Sequence, residues 1–238
     1  MKNRFHSQSP PHRRAFTLIE MLVVLVIMST LLGIGAQVMK NATTAQGTDT
    51  GGSMAESLFA EARGLAKGSG SSVRVVIYAG GGSGDERVKH LRYMGIVGQE
   101  QDPNGEYSVD SNGDPLFKDR LKARGVQLPP KVFYNAKLSG DPSTMPVQIP
   151  GITGVQQCYY YEFNAEGIIK DPAPVGSTPV SFVVQSGTLY PTDDTPRVSN
   201  KGSRDVAGFA IWKRGSTTIF RNPEQVPSLS SGDDPTFE

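Results

Sequence analysis

The chain has 238 residues, enough for one modest domain and an anchor. A formal net charge of +1 gives no bulk attraction to nucleic acid, and a single cysteine, Cys158, excludes an intrachain disulfide. Of the three histidines, His6 and His12 fall in the first 15 residues, so His90 alone is no metal cluster.

Residues 1–15 carry Lys2, Arg4, Arg13 and Arg14 and no acid. From Phe16 to Met39 the run is apolar, with Glu20 as its one ionisable side chain. As a helix it would measure about 36 Å, enough to cross a hydrocarbon core of about 30 Å. A basic leader before such a span is expected to stay cytoplasmic and send the C-terminal bulk across the membrane. A secretory signal peptide fits less well, because the run is too long and no A-x-A-like site follows it. A lone carboxylate at that depth costs a few kcal/mol unless paired, so Glu20 is a functional candidate by default.

The stretch Arg14-Ala15-Phe16-Thr17-Leu18-Ile19-Glu20 resembles the processing signal of type IV prepilins and type II secretion pseudopilins. The resemblance implies cleavage between Ala15 and Phe16 by a prepilin peptidase and N-methylation of Phe16. It implies an assembly role for Glu20. Implied partners are other pilin or pseudopilin subunits, met through the N-terminal helix, an inner-membrane assembly platform and the lipid bilayer. The family usually has Gly before the cut, and here Ala15, the smallest substitute, stands there. Loosening of the helix at Gly33 and Gly35 on assembly is also implied by the family rather than read from spacing.

The helix is expected to continue through 40–68. The polar run 41–53, with Gly47, Gly51 and Gly52, leaves a break and a weak continuation both open. Ser53 with Glu56 has capping-box spacing, and Met54, Leu58, Phe59, Ala62, Leu65 and Ala66 fall on one helical face. That face calls for a sheet partner, and Gly68-Ser69-Gly70 ends the helix.

Residues 69–222 read as a β-rich domain. Expected strands are Val73–Tyr78, a returning strand from Val88 to Val97, Cys158–Phe163 and Val180–Gln185. The final hairpin pairs Ala207–Trp212 with Thr217–Phe220. Residues 79–84 read as a flexible hairpin tip. They are not a phosphate loop, since Asp85-Glu86 follow where Lys-Ser/Thr is needed. A short helical turn is expected over 117–125, extended backbone over 126–134 and a Pro/Gly-rich loop over 138–154. Residues 223–238 form a polar tail.

The order gives an α+β fold, a long helix packed on antiparallel sheet. It is similar to the H-type minor pseudopilins and FimT-like minor pilins. The positions that carry this likeness are Ala62-Arg63, Val73–Tyr78, Leu128-Pro129, Phe163–Gly167 and Ala210–Phe220.

Asp102-Pro-Asn-Gly-Glu106 and Asp110-Ser-Asn-Gly-Asp114 put oxygens around glycine turns, but the spacing fits an EF-hand loop poorly and ordinary turn chemistry well. Lys213, Arg214 and Arg221 beside Trp212 could make a small basic patch, and three cations predict weak, salt-sensitive nucleic-acid binding at best. His90 reads as an exposed strand residue and Cys158 as a packed thiol. No G-x-S-x-G elbow or paired carboxylate supports catalysis, so no enzyme activity and no cofactor is expected. The reading is a structural filament subunit. The alternatives are a single-pass protein whose outer β domain binds a ligand without assembling, and a pilin-like DNA-uptake component.

Overall fold

The computed structural model describes residues 18–238 apart from 82–83, 119, 123–124, 177, 199–205, 221–224 and 226–238; side chains at 33–45 and 85 are likewise outside the description. The chain divides into two compact units, Met1–Ala42 and Thr43–Glu238. One helix, α1 (Leu18–Ser69), contributes to both.

In the first unit, the described side chains of α1, Leu18 to Leu32, are apolar apart from Glu20, Ser29 and Thr30. In the second unit, α1 continues without a break through the polar run 41–53. The physical reason is close packing. A Cβ on Gly51 would stand 3.0 Å from Val132 Cγ1 and 3.4 Å from Leu128 Cδ2. Glycine therefore lowers helix propensity here but lets the backbone lie against the sheet, and tertiary contact outweighs about 1 kcal/mol of propensity. Ser53 is not an N-cap. It lies mid-helix, exposed, its carbonyl accepting the Ser57 hydroxyl at 2.9 Å. Glu56 instead accepts the Thr217 hydroxyl at 2.7 Å, tying the helix to the last strand. The helix ends at Ser69, where Gly70 turns left-handed at φ +62.

Among the described residues, ten strands form two antiparallel sheets. β1 (Val73–Tyr78), β2 (Tyr93–Gly98), β3 (Val126–Gln127), β5 (Thr144–Gln148) and β6 (Val155–Phe163) run in the order β3-β2-β1-β6-β5, with β7 (Ile169–Asp171) also pairing β6. The second sheet is β10-β9-β8-β4, built from β4 (Val132–Tyr134), β8 (Val180–Ser186), β9 (Val206–Ile211) and β10 (Thr217–Phe220). The class is α+β, as expected, and the sheet is divided in two.

Phe59 is the hub. It is 1 % exposed, and its ring centroid lies 5.1 Å from Tyr161 and 6.1 Å from Phe163 of the first sheet. It lies 5.0 Å from both Phe182 and Phe209 of the second. Leu58, Ala62 and Ala66 join the same core, while Met54 and Leu65 of the predicted face are half-buried. Gly208 is required where β9 crosses β8, because a Cβ there would collide with the Phe182 carbonyl. A second cluster covers the other face of the first sheet, with Tyr78, Val97, Val147 and Cys158 under Phe117 and Leu121.

Several local expectations need correction. The returning strand starts at Tyr93, and 84–89 form a 3-10 turn rather than the start of a strand. Where residues 117–125 are described they show no helical turn; Phe117 and Arg120 make isolated bridges, and the side chains at 117 and 121 cap the sheet. The extended reading over 126–134 resolves into β3 and β4, one in each sheet, around left-handed Lys131. The Pro/Gly-rich loop 138–154 contains strand β5.

Candidate functional site

The sequence pointed to the N-terminal stretch. Ala15 and Phe16 lie outside the described residues. Glu20 lies in the first described turn of α1 and is exposed. Every residue from Leu18 to Leu32 is exposed, including Leu18 at 87 % and Leu32 at 74 %. A helix that is apolar on all sides is stable only where lipid or other helices surround it. The polar groups in the run conform to that requirement. The Ser29 hydroxyl donates to the Leu25 carbonyl at 2.7 Å, and the Thr30 hydroxyl donates to Ile27 at 2.8 Å. Both hydroxyls are thereby satisfied within the helix, as an apolar medium demands. Among the described residues no helix is long and apolar enough to cross a membrane. The apolar side chains described run from Leu18 to Leu32, about 22 Å of helix. The rest of the expected span, Phe16, Thr17 and the side chains of 33–39, falls outside the description.

The other candidates can be placed in turn. Cys158 is buried on β6, and desolvation pushes its thiol up to about 12, which removes thiolate reactivity near neutral pH. His90 is not the exposed strand residue expected. It is 5 % exposed, with Nδ1 2.9 Å from the Gly80 carbonyl and Nε2 2.8 Å from that of Asp194. Burial lowers its pKa from the ordinary value, against the upward pull of those two carbonyls. The ring fastens the 190–194 segment to the β1–β2 connection.

The two Asp-x-Asn-Gly turns have the same internal bonding. Asp102 Oδ1 accepts the amides of Asn104 and Glu106, and Asp110 Oδ1 accepts those of Asn112 and Asp114. The Asp114 and Asn112 amides hold the Asp110 carboxyl below its ordinary pKa. These carboxylates are committed to their own turns. Among the described residues, no group of three or more His, Cys, Asp or Glu side chains could hold a metal ion.

Of the basic patch, Lys213 and Arg214 are exposed on the β9–β10 turn, and Arg221 is outside the described residues. The Trp212 indole donates to the Thr218 hydroxyl at 2.9 Å. The structure thus brings together only part of that patch.

Sequence reasoning missed a buried charge cluster. Arg74 donates to Glu162 Oε2 through Nε at 2.9 Å and Nη2 at 2.7 Å. Its guanidinium lies 3.8 Å from the Phe117 ring centroid and 4.0 Å from that of Tyr160. The signal was a single charge in each of two apolar strands, readable only once β1 is paired with β6 so that Arg74 faces Glu162. The contact with Phe117 joins the end of the 99–117 excursion to the sheet.

Residues 10–36 match the family model of the prokaryotic N-terminal methylation motif. The chain therefore carries that motif, consistent with the type IV prepilin and pseudopilin family, and the motif points to a structural protein with a membrane-anchored N-terminal helix. Prepilin peptidase and other pilin subunits are the partners it implies. No curated protein and no solved structure matches the chain.

Proposed function

We propose that the chain is a minor structural subunit of a type II secretion pseudopilus or type IV pilus-like filament. The observation that carries this reading is the methylation-motif match over 10–36, in register with a helix whose described apolar run is exposed on all sides. Residues 1–15 are the leader, and prepilin peptidase cuts between Ala15 and Phe16 and methylates Phe16. The subunit crosses the inner membrane once through 16–39, with its N-terminus cytoplasmic and the β domain periplasmic. Neighbouring helices then bundle on an assembly platform. Glu20 meets the N-terminal amine of an adjacent subunit, which offsets the desolvation of both charges and sets the stagger. The order of helix, strands and final hairpin supports placement among H-type minor subunits.

The test is substitution at the cut. Ala15→Leu puts a bulky side chain where the peptidase accepts Gly or Ala, and mass spectrometry should find the leader retained. Normal removal of the leader from this variant would contradict the assigned cleavage site.

A further inference from the structure

The β1–β2 connection and the adjoining ends of β4 and β8 border an open depression of about 320 Å³. Arg87, Arg92 and Lys131 line it, with Val88, Phe133 and Leu189 as its apolar part. Among the described residues no carboxylate lines it.

Among the described residues none of the three cations has an ion-pair partner, and the Arg92 guanidinium lies 5.9 Å from the Phe133 ring centroid. Arg92 donates to two backbone carbonyls, Val88 at 3.1 Å and Leu128 at 2.8 Å. Arg87 donates to the carbonyls of Tyr190 and Asp193. All four acceptors are neutral. The Nε of each guanidinium is buried and has no acceptor in the protein. Two acids of the same region are engaged elsewhere: the Asp193 carboxylate pairs with Arg197 at 2.6 Å, and Glu86 accepts the Thr153 amide at 3.4 Å. Lys131 has no ion-pair partner among the described residues. Its backbone is left-handed at φ 64, held by the Gly187 amide donating to its carbonyl at 2.8 Å. A lysine kept where glycine would be relaxed is a strained residue, and strain of this kind collects at binding sites. Burial also lowers the Arg92 pKa, so the site penalises a cation that a bound anion would stabilise.

We propose that this depression binds an acidic peptide segment of a partner protein, with carboxylates on Arg87, Arg92 and Lys131 and an apolar side chain against Val88 and Leu189. The volume is several times that of one oxyanion and lies at the small end of ligand pockets. A nucleic-acid strand fits less well, because the cations converge on one concavity instead of tracking a backbone. Of the apolar lining, Val88 is exposed and Leu189 half-buried, so these two offer the contact surface. The inference rests on the outer unit alone and is independent of N-terminal processing.

The test is fluorescence anisotropy on the full chain in detergent micelles, with the labelled peptide Gly-Asp-Phe-Glu-Asp-Gly as probe. The expected result is saturable, salt-sensitive binding. Lys131→Gly, which removes the charge while suiting the left-handed backbone, should weaken it about tenfold. Arg87→Gln should weaken it further, and Arg214→Gln on the distant hairpin turn should leave it unchanged. Three results would overturn the proposal: no binding at millimolar probe, equal binding by Lys131→Gly, or displacement of the probe by inorganic phosphate or a single-stranded oligonucleotide as readily as by unlabelled peptide.

Discussion

Phe59→Ala is the substitution that most directly questions the outer fold. The side chain is 1 % exposed and touches four aromatic rings drawn from both sheets. Removing it forfeits about 2–3 kcal/mol of apolar burial. The lost edge contacts and an imperfectly filled cavity add to this, bringing the total to about 3–5 kcal/mol. Against a domain stability of ~5–15 kcal/mol that is a large fraction. The chain has a single tryptophan, Trp212, at the β9–β10 hairpin, so guanidinium unfolding in detergent micelles can be followed by its fluorescence. Leu25→Ala, in the exposed apolar run, is the matched control and should stay within ~0.5 kcal/mol. A Phe59→Ala loss below about 1 kcal/mol would show that the helix does not join the two sheets into one core.

Three further outcomes are expected. Glu20→Ala should insert in the membrane but enter filaments poorly, read by fractionation of sheared filaments against membranes; full incorporation would remove the assembly role. Glu162→Gln should destabilise by about 3–5 kcal/mol, because it leaves the Arg74 charge uncompensated, while Arg74→Met with Glu162→Leu should cost far less; equal losses would show that packing, not charge, governs the site. Stability should fall as pH rises from about 9 to 11. Burial raises the pKa of Cys158 from 9.0 to about 12, and it raises the pKa of Tyr134 and Tyr161 above 10.0. The unfolded chain therefore releases protons that the folded chain keeps, and their stabilisation is whole below the unfolded pKa values and lost above them. Thermal melts across that range should show a falling midpoint, and a flat profile would contradict the burial assigned to these groups.

Much of the architecture was legible because periodicity carries it. Leu58, Phe59, Ala62 and Ala66 recur at helical spacing and are buried. The β-branched run Val73–Tyr78 and the glycine turn between β9 and β10 each produced the expected element. Strand β5 was hidden by Pro146, which is tolerated because β5 lies at the edge of its sheet. The sequence left a break and a continuation of the helix through 41–53 both open, because glycine lowers propensity locally while permitting contact with Val132, which is distant in the sequence. His90 could not be placed from sequence, since both carbonyls that hold it come from loops. The same holds for the cationic depression. Arg87 and Arg92 are near neighbours in the chain, but Lys131 joins them only after β4 and β8 have paired. At the N-terminus the position reversed: the motif was read directly from Ala15, Phe16 and Glu20, two of which lie outside the described residues.

The central claim concerns what happens to the chain at Ala15. Peptide mapping of the protein recovered from membranes or filaments reads it directly. The account predicts a mature chain beginning with N-methyl-Phe16. A chain that still begins at Met1, or one cut elsewhere, would contradict it.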